Sequence, residues 1–411
     1  MELRISTTCL LALGIDERVF EKDSLLRENA LYYGRQFFST HILCRSTKPR
    51  KAEKVGNVVF HSVFARAPLF FPFFAFFAGL RIIRANRGAW MVSSDNPFEI
   101  GVVSWMLARY ARGKLFLQVH TDVLSPQFWQ ASWKEYTRFL CAKFVIPRAD
   151  CIRVVSERIR RSLVESGLRD AKRIEVLPIA TDVKRFSGAL PSAACNEFLK
   201  KYSFRMIAVG RLVDKEKNFS MLLGVMKEFV KISPVAFLAI VGYGPDRNTY
   251  DSLVRQNHLE NNVIIGSEEE MKAFVCSGGE RTVQSPRADD DFLPSFYKSF
   301  DACVISSNYE GWNRVAVEAM AAGIPVLMTD VGCAGDVLKD GENGMVVRVN
   351  DPSAFLNALI KIYRDPDLRR RLAGEGRKTV ESLEFVTRDR YAFQYAEILS
   401  HCATYQDTAQ K

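Results

Sequence analysis

Two glutamates that lie eight residues apart could hold a ligand rich in hydroxyl groups. Glu310 stands just before Gly311 in a predicted turn, and Glu318 lies between one and two turns into the helix predicted to follow. Gly311 lets the backbone approach a ligand closely, and the first amides of that helix can bind a phosphate. A carboxylate accepts hydrogen bonds from pairs of hydroxyl groups, as on a sugar or a ribose. The spacing therefore suits a ligand with a sugar at one glutamate, a phosphate at the amides and a ribose at the other glutamate.

Each glutamate also has an ordinary explanation. Glu310 could simply complement the positive end of the helix dipole, which is worth ~0.3–1 kcal/mol. Glu318 is harder to explain in this way, because its neighbours are predicted to be buried and a buried carboxylate without a partner is costly. We therefore expect Glu318 to have a partner. The neighbours predicted to be buried are Ala316, Val317, Ala319 and Met320.

Two cations follow an earlier predicted strand, in the segment AVGRLVDKEKN. Arg211 comes directly after Gly210 at the strand end, and Lys217 lies further along the loop that leads into the next helix. Backbone N–H groups and the helix dipole favour anions at such a position, and two cations there would suit a diphosphate. The alternative is a solvated basic loop, which explains the lysine more easily than the arginine.

The elements that must position these residues alternate regularly from about residue 200. Buried apolar runs are each followed by a short loop and an amphipathic helix, which predicts right-handed crossovers and a parallel sheet covered on both faces. Gly323 is predicted to end the helix that carries Glu318. The predicted strands read FRMIAVG, VAFLAIVG, NVIIG, DACVISS and IPVLMTD.

The first half of the chain repeats this pattern less cleanly, with predicted strands GNVVFHSV, AWMVSSD, KLFLQVH, CIRVVS and RIEVLPI. A length of 411 residues favours two domains. The periodic pattern is interrupted between Phe186 and Lys200, where Gly, Pro, Ser and Ala are frequent. We therefore predict an α/β fold with two doubly wound, Rossmann-like parallel-sheet domains, residues 1–187 and 200–387. Ligands bind beyond the carboxyl ends of such strands, so the loops would face a cleft between the domains.

The cysteines and the N-terminal residues indicate the compartment. The nine cysteines are scattered singly without a CxxC pair, and the five histidines form no cluster. This pattern predicts unpaired thiols in a cytosolic protein rather than a disulfide framework or a zinc site. The first residues, MELRISTTCLLALGIDERVF, lack the basic start and cleavable core of a signal peptide and are predicted to form a first strand. We therefore expect a cytoplasmic protein.

The basic charge of the chain belongs to its first half. Residues 1–200 hold 31 Lys and Arg against 18 Asp and Glu, a net charge of +13, whereas the remainder has a net charge of −3. Such an excess suggests an anionic partner for the first half. A lipid surface, a phosphate-bearing substrate or nucleic acid would each fit.

The most apolar run of the chain lies in this basic half. Residues 67–80 carry no charge and are followed by Arg81, Arg84 and Arg87. The uncharged run is shorter than the ~20 residues that a helix needs to span a bilayer. Two interpretations stay open. The run could form a buried helix of the first domain, or a helix whose aromatic side chains enter a membrane interface while its arginines meet anionic headgroups.

Taken together, several segments resemble one enzyme family. EGWNRVAVEAMAAGIPVLMTDVG resembles the signature of retaining, nucleotide-sugar-dependent glycosyltransferases of the GT-B fold, family 4 (group 1), in which seven residues separate two glutamates. AVGRLVDKEKNFSMLL, IVGYGPDR and GENGMVV are similar to three further loops of that family, and LQVHTD, IRVVSERIRRSL and IEVLPIATDVKRF are similar to three segments of its first domain. The resemblance covers residues 100–186, 204–266 and 292–350. It also implies that a C-terminal helix, at about residues 388–411, crosses back onto the first domain.

The resemblance implies roles for individual residues. Arg211 and Lys217 would bind the donor diphosphate, Glu310 the hydroxyls of the donor sugar, and Glu318 the ribose. His120 would face the reacting side of the sugar from the first domain, although by its position alone it could equally be a core histidine at a strand end. The predicted catalytic residues are His120, Glu310, Arg211 and Lys217. The predicted donor-binding residues are Gly210, Arg211, Lys217, Gly242, Glu310, Gly311, Trp312, Asn313 and Glu318.

The chain departs from the family pattern in three places. The loop ahead of Lys217 is one residue longer than usual, so Lys215 could take its place. The loop after the first strand offers only Gly14 instead of a glycine-rich sequence. Residues 267–291 match nothing in the family, and we interpret their acidic run, Asp289 to Asp291, as a solvated loop rather than a metal site.

The implied reaction moves a glycosyl group from a nucleoside diphosphate sugar to an acceptor hydroxyl, with retained anomeric configuration. It needs no cofactor, and GT-B enzymes usually need no metal, because basic side chains and a helix dipole neutralise the leaving diphosphate. The basic first domain would bind a glycan or lipid-linked acceptor and could hold the protein on the cytoplasmic face of a membrane.

Three other functions stay open. An epimerase of the same fold would act on the nucleotide sugar alone, and a phosphorylase-type enzyme would carry pyridoxal phosphate. A basic, non-catalytic protein that binds nucleic acid or another anion would explain the charge but not the paired glutamates. Because the sequence contains no nucleic-acid recognition module, we expect no nucleic-acid partner.

Overall fold

The chain divides into two compact units. The computed structural model describes residues 5–277, 292–383 and 388–404. The predicted acidic loop at Asp289 to Asp291 therefore lies outside the described residues. The first unit consists of Met1–Pro178 with Asp389–Lys411, and the second of Ile179–Arg388.

Eight strands form one sheet in the first unit. They are β1 (Ile5–Gly14), β2 (Phe37–Ser46), β3 (Glu53–Val55), β4 (Val58–Phe64), β5 (Ala89–Ser94), β6 (Lys114–Val119), β7 (Cys151–Val154) and β8 (Ile174–Val176). Their order is β3-β4-β2-β1-β5-β6-β7-β8, and neighbouring strands run parallel except β3 with β4. Strands β5 and β6 are buried along nearly their whole length, as parallel strands covered on both faces should be.

Helices connect these strands, and serine side chains cap the N-termini of several helices. The helices are α1 (Leu25–Gly34), α2 (Phe71–Ala85), α3 (Glu99–Tyr110), α4 (Pro126–Trp129), α5 (Trp133–Val145) and α6 (Glu157–Glu165). Ser24, Ser132 and Ser156 precede α1, α5 and α6, and each hydroxyl accepts a hydrogen bond from a first-turn amide. Such a cap satisfies a donor that has no partner within the helix.

Six parallel strands form the sheet of the second unit. They are β9 (Phe204–Val209), β10 (Ala236–Val241), β11 (Val263–Gly266), β12 (Ala302–Ile305), β13 (Val326–Thr329) and β14 (Met345–Val347). Their order is β11-β10-β9-β12-β13-β14. The helices of this unit are α7 (Val183–Gly188), α8 (Ala193–Leu199), α9 (Asp214–Lys217), α10 (Phe219–Phe229), α11 (Arg247–Gln256), α12 (Glu268–Cys276), α13 (Phe292–Tyr297), α14 (Arg314–Ala322), α15 (Pro352–Arg364) and α16 (Pro366–Glu381).

The boundary between the units falls earlier than the predicted join at residues 186–200. Helix α7 belongs to the second unit because it packs against α13, α14 and α16 of that unit. Its side chains Val183 and Phe186 are buried there. The segment that the composition suggested as a linker therefore contributes two helices, α7 and α8, to the second unit.

A last helix, α17 (Arg388–Thr404), returns to the first unit. Tyr395 and Leu399 are buried in one core cluster with Leu10 and Phe116 of the sheet. The Nζ atom of Lys114 donates hydrogen bonds to the last carbonyls of the helix. The prediction of two doubly wound α/β domains with a C-terminal helix that crosses back is confirmed.

The prediction of unpaired thiols is wrong for one pair of cysteines. Cys151 in β7 and Cys402 in α17 form a disulfide, with their Cα atoms 5.8 Å apart. The two residues are separated by 251 positions in the sequence. Only the return of α17 to the sheet brings them together, so their spacing along the chain carries no signal of the bond.

One central strand, β2, was absent from the predicted set. Polar residues at Thr40 and His41 interrupt its apolar run. Both side chains are nevertheless buried, because each has a partner. The Thr40 hydroxyl donates to the Gly34 carbonyl at 2.8 Å, and the His41 Nδ1 atom lies 3.0 Å from Nε2 of His61 in β4.

The packing of α17 predicts that the helix stabilises the first unit. Leu399→Ala would leave a cavity between α17 and the sheet, and we expect it to lower the free energy of unfolding by about 2–5 kcal/mol. Urea unfolding measures this change. Phe393→Ala on the same helix is the control, because Phe393 is exposed. An equal loss in both variants would show that the helix does not pack as described.

Candidate functional site

The strand order of the second sheet reverses between β9 and β12. From β9 the chain proceeds outward through β10 and β11, and it then returns to β12 on the other side and proceeds through β13 to β14. The loops after β9 and β12 therefore start at the point of reversal on the carboxyl edge, which is the place of the ligand-binding crevice in open α/β sheets. The predicted donor-binding residues lie in these two loops, in the glycine turn that follows β10, and in α14.

Hydrogen bonds join the two loops. The Ser306 hydroxyl donates to the Lys217 carbonyl at 2.7 Å, and the Asn308 amide donates to the Glu216 carbonyl at 2.8 Å. The Asn218 side chain donates to Oδ1 of Asn308 at 2.9 Å. Ser306, Asn308 and Asn218 were not among the predicted site residues. Ser306 and Asn308 had a signal in the sequence, because they follow the buried strand β12 and small polar residues at such a place often organise a loop. Asn218 instead lies between α9 and α10.

An ion pair between the loops forms the centre of the site. Lys217 Nζ pairs with the carboxylate of Glu310, and the two side chains are 17% and 14% exposed. The carboxylate also accepts a hydrogen bond from the Ser307 hydroxyl at 2.8 Å and one from Asn313 Nδ2 at 3.4 Å. Lys217, the lysine that the resemblance indicated first, thus makes this contact. Both charges are held at the edge of the crevice.

Glycines let the surrounding loops come this close. A Cβ atom at Gly242 would lie 1.9 Å from the carbonyl oxygen of Gly210, so a side chain there would separate the loops after β9 and β10. Gly332 has φ +59°, and a Cβ atom there would lie 2.7 Å from the carbonyl oxygen of Trp312. Gly242 was predicted to bind the donor, and the structure gives it a packing role. Gly332 was missed, although its position after β13 places it in the same row of loops.

The turn before α14 is tightly packed. Gly311, Trp312 and Asn313 are all buried. Asn313 has φ +75° in the left-handed region, which asparagine tolerates better than most residues. Its side chain accepts a hydrogen bond from the Ala316 amide at 3.2 Å and so caps the helix. At the other end of α14, Gly323 has φ +75° and forms the predicted C-terminal cap.

Arg211 forms an ion pair of its own, apart from Lys217 and Glu310. Its side chain is 64% exposed and bonds to Glu216 at 2.6 Å. The structure therefore brings Lys217, Glu310 and Asn313 together and places the Arg211 guanidinium outside that group.

Glu318 has the partner that was expected from its predicted burial. The carboxylate is buried, and Arg314, one turn earlier in α14, bonds to it at 3.1 Å. Burial raises the pKa of Glu318, and the Arg314 guanidinium opposes that rise. Tyr297 of α13 lies near the carboxylate, and burial together with the charge of Glu318 raises the pKa of its hydroxyl.

The first sheet reverses its strand order between β1 and β5, and a polar chain of contacts lies at that point. Asp95 directly follows β5, and its carboxylate accepts a hydrogen bond from Gln118 Nε2 at 3.3 Å. Gln118 in turn accepts one from Arg153 at 3.1 Å. Gly14 ends β1, and a Cβ atom there would lie 2.4 Å from the Asp95 carboxylate. His120 directly follows β6 at the same edge of the sheet.

Burial controls the charge of the groups at this edge. It raises the pKa of Asp95 to about 7, with Asp16 adding to the rise and Arg153 opposing it. Burial also lowers the pKa of His120 to about 3, and Arg153 lowers it further. The imidazole of His120 is therefore neutral near pH 7 and can both donate and accept a hydrogen bond. Asp95 was not predicted as a site residue, although it ends the predicted strand AWMVSSD.

Arg153 supports this edge of the sheet from within the core. Its side chain is fully buried and donates hydrogen bonds to the carbonyl of Leu177 at 2.9 and 2.6 Å. The ring of Tyr391 in α17 lies 5.6 Å from the guanidinium.

Across the described ranges, no three His, Cys, Asp or Glu side chains come together in a group that could hold a metal ion.

Two family models match the chain. A model described as "Glycosyl transferases group 1" matches residues 203–365, and one described as "Glycosyltransferase Family 4" matches residues 25–185. Together the two matches cover well over half of the chain. They confirm the resemblance that the loop sequences indicated.

Named relatives and solved structures agree with these models. The chain is 28% identical over 239 residues to D-inositol 3-phosphate glycosyltransferase of Corynebacterium jeikeium, which covers 57% of this chain and 54% of the relative. It is 25% identical over 255 residues to the capsular polysaccharide biosynthesis glycosyltransferase CapM of Staphylococcus aureus, covering 61% of this chain and 62% of the relative. The chain thus spans less than two thirds of the length of either relative.

The solved structures match over nearly the whole chain. Anabaena HepE in complex with UDP and glucose has a TM-score of 0.68 at 17% identity and covers 95% of this chain and 99% of its own. Sucrose-phosphate synthase of Thermosynechococcus elongatus has a TM-score of 0.72 at 21% identity and covers 95% and 98%. These matches confirm the GT-B fold.

The raised pKa of Asp95 predicts a dependence of stability on pH. The stability associated with this group is fully present below its unfolded pKa of about 3.8 and is lost as the pH rises through about 7. Asp95→Asn removes the ionisation, so we expect the variant to melt several degrees above the wild type at pH 8 and close to it at pH 4. Melting curves at the two pH values measure the difference. An equal gain at both would mean that the carboxyl group does not titrate as described.

Proposed function

The chain belongs to the group 1 glycosyltransferases of family 4, and we propose that it transfers a glycosyl group from a nucleoside diphosphate sugar to an acceptor hydroxyl with retention of the anomeric configuration. The observation that carries this proposal is the Lys217–Glu310 ion pair at the carboxyl edge of β9 and β12, beside the N-terminus of α14. A cation and a helix N-terminus at one crevice suit the diphosphate of a nucleotide sugar, and the carboxylate beside them suits the hydroxyl groups of its sugar.

Each residue of the crevice has a role in the proposal. Glu310 accepts hydrogen bonds from the donor sugar, and the amides of Gly311 to Asn313 assist it. Lys217 lies against the diphosphate, and the exposed Arg211 side chain can move from Glu216 to the same phosphates. Glu318 binds the ribose.

The bond changes require no protein nucleophile. The bond between the anomeric carbon and the phosphate oxygen breaks, and a bond from the acceptor oxygen to the same face of that carbon forms. The acceptor proton passes to the departing phosphate oxygen. The protein contributes electrostatic stabilisation of the leaving group by Lys217 and the α14 dipole, and it positions the reactants. Because these groups neutralise the diphosphate, we expect the reaction to need neither a metal ion nor a cofactor.

The first unit supplies the acceptor side in this proposal. The neutral imidazole of His120 can bond to a hydroxyl or a sugar oxygen, and the Asp95 carboxyl group at the same sheet edge can orient a hydroxyl. The net charge of residues 1–200 is +13, which favours an anionic acceptor. We propose a lipid-linked or cell-surface glycan, reached from the cytoplasmic face of a membrane. The name of CapM, which places it in capsular polysaccharide biosynthesis, supports this choice.

Nucleotide binding provides the first test. HepE binds UDP in its crystal structures, so UDP is the first nucleotide to examine, followed by GDP, ADP and CMP. We expect one nucleotide to raise the melting temperature by several degrees, with or without magnesium, and Glu318→Ala to lose most of that shift. The matched control is Glu381→Ala, which removes the acid of another pair with arginine four residues away, Arg377 with Glu381. If no nucleotide stabilises the wild type, the proposed donor site is wrong.

Turnover provides the second test. We expect Glu310→Gln and Lys217→Ala each to lower kcat by roughly 10²–10³-fold while the protein stays folded, because each removes a group that acts on the donor. Glu228→Gln and Lys231→Ala break an exposed ion pair of the same residue types and should change kcat less than about twofold.

The product distinguishes the remaining functions. NMR of the transferred sugar reports the anomeric configuration, and inversion would contradict the retaining reaction. Conversion of the nucleotide sugar without any acceptor requirement would indicate an epimerase instead. Unchanged kcat in both Glu310→Gln and Lys217→Ala would exclude the crevice as the active site.

A further inference from the structure

One apolar segment of the first unit has an exposed face. Among the described residues, Pro68–Ala85 is the single helical stretch long and apolar enough to cross a membrane by length and composition. It consists of one turn followed by α2. Most of this stretch is not covered by the rest of the protein. Large apolar side chains of this stretch are therefore in contact with water.

An aromatic patch lies on the outer side of α2 and of the turn that precedes it. Leu69 is 81% exposed and Phe73 is 61% exposed, and Phe70, Phe74 and Phe77 are exposed beside them. The ring centroids of Phe73 and Phe77 lie 4.9 Å apart, and those of Phe73 and Phe74 lie 5.6 Å apart. Rings that touch one another in water form one patch rather than isolated exposures, and such patches mark interaction sites.

Two neighbouring helices carry exposed apolar side chains of their own. Helix α2 packs against α3, and α3 packs against α5, so the three helices form one layer on the sheet. The Arg84 side chain bonds to the Tyr110 hydroxyl at 2.8 Å, which joins α2 to α3. The rings of Trp105 and Phe144, 4.9 Å apart, join α3 to α5. The outer apolar side chains of α3 and α5 are Met106, Tyr110, Trp133, Tyr136, Leu140 and Phe144, all of them exposed. We call the outer side of α2, α3 and α5 the three-helix face.

The charges around the three-helix face are almost all positive. No Asp or Glu occurs between Glu53 and Asp95 in the sequence. The acids of α3 and α5 are compensated, because Glu99 and Glu135 both pair with Arg138. The exposed basic residues on these helices and at their ends are Arg66, Arg81, Arg84, Arg87, Arg109, Arg112, Lys134, Lys143 and Arg148. An apolar patch within a rim of cations is complementary to an anionic lipid surface.

We propose that the three-helix face docks the protein onto an anionic bilayer, with α2 lying in the plane of the interface rather than crossing the membrane. The aromatic side chains enter the acyl boundary and the arginines meet phosphate headgroups. This inference rests on the proposed function in one respect, since it gives the glycosyl transfer a surface on which to meet a lipid-linked acceptor.

The inner side of α2 excludes a membrane-spanning position. Phe71 and Ala75 are buried, and Gly79 packs so closely on α3 that a Cβ atom there would lie 2.5 Å from the Leu107 side chain. Helix α2 also packs against β2 and β4. A helix that crossed the bilayer would have to withdraw all of these contacts and expose the core of the first unit. A second copy of the chain is a poorer occupant, because two basic rims would repel each other.

Sedimentation with lipid vesicles tests the proposal on the whole 411-residue chain. Vesicles of phosphatidylcholine alone are compared with vesicles that also contain phosphatidylglycerol, each at low and high salt. We expect binding to the anionic vesicles at low salt, weaker binding at high salt, and little binding to the neutral vesicles. Phe73→Ser with Phe77→Ser, and separately Arg81→Gln with Arg87→Gln, should each lower the partition coefficient about tenfold or more.

Matched control variants lie in the second unit. Leu190→Ser with Val235→Ser removes exposed apolar side chains, and Arg364→Gln with Arg370→Gln removes exposed arginines. Both should bind vesicles as the wild type does. If the phenylalanine variant fails to fold, the arginine variant still tests the face, because it changes only exposed side chains.

Four outcomes would overturn the proposal. They are no sedimentation with anionic vesicles at low salt, equal binding to neutral vesicles, equal loss in the control variants, and retention of the protein on vesicles after an alkaline carbonate wash, which would show a spanning helix. Thermal stabilisation by UDP, GDP, ADP and CMP is measured on the same samples. Lost vesicle binding with an intact nucleotide shift would contradict docking alone, and intact vesicle binding without a shift from any of the four nucleotides would contradict the proposed transfer alone.

Discussion

The candidate donor site depends on a largely buried ion pair between two loops that are distant in sequence. Lys217 and Glu310 lie 93 positions apart, yet their charges meet where β9 and β12 end side by side. Neither charge is well hydrated there, so removal of either partner would leave the other without compensation. Ser306 and Asn308 of one loop donate hydrogen bonds to backbone carbonyls of the other loop. The ion pair is therefore not the sole contact that holds the two loops together.

The same topological feature occurs in both units. Each sheet reverses its strand order once near its middle, between β1 and β5 in the first unit and between β9 and β12 in the second. In each case the ionisable residues of interest follow the strands at that point. The electrostatics differ, because the second unit holds an acid against a base, whereas Asp95 in the first unit is largely desolvated and Arg153 lies deeper in the core. One edge therefore presents a pair of opposite charges, and the other presents a desolvated carboxyl group.

The sequence predicted the features that depend on local pattern. Regular alternation of strand and helix gave the fold class, and the spacing of glutamates and cations indicated Lys217, Glu310 and Glu318 before their surroundings were known. Features that depend on distant contacts were missed. Strand β2 contains polar residues that can be buried only because they have hydrogen-bond partners. The bond between Cys151 and Cys402 exists only because α17 returns to the sheet. The donor-binding role of Gly242 stays a prediction, and the structure adds a packing role that depends on the neighbouring loop.

The return of α17 also decides the order in which the chain can acquire its structure. The second unit is one continuous segment, whereas the first unit is made from two segments that flank it. During synthesis the second unit can therefore complete its core while part of the first is still missing. The sheet of the first unit completes its core only with Tyr395 and Leu399 of α17. Until these residues emerge from the ribosome, its central strands lack the helix that covers one face. A nascent chain would thus expose that apolar face for the whole time needed to translate the second unit, a period in which a chaperone could bind it.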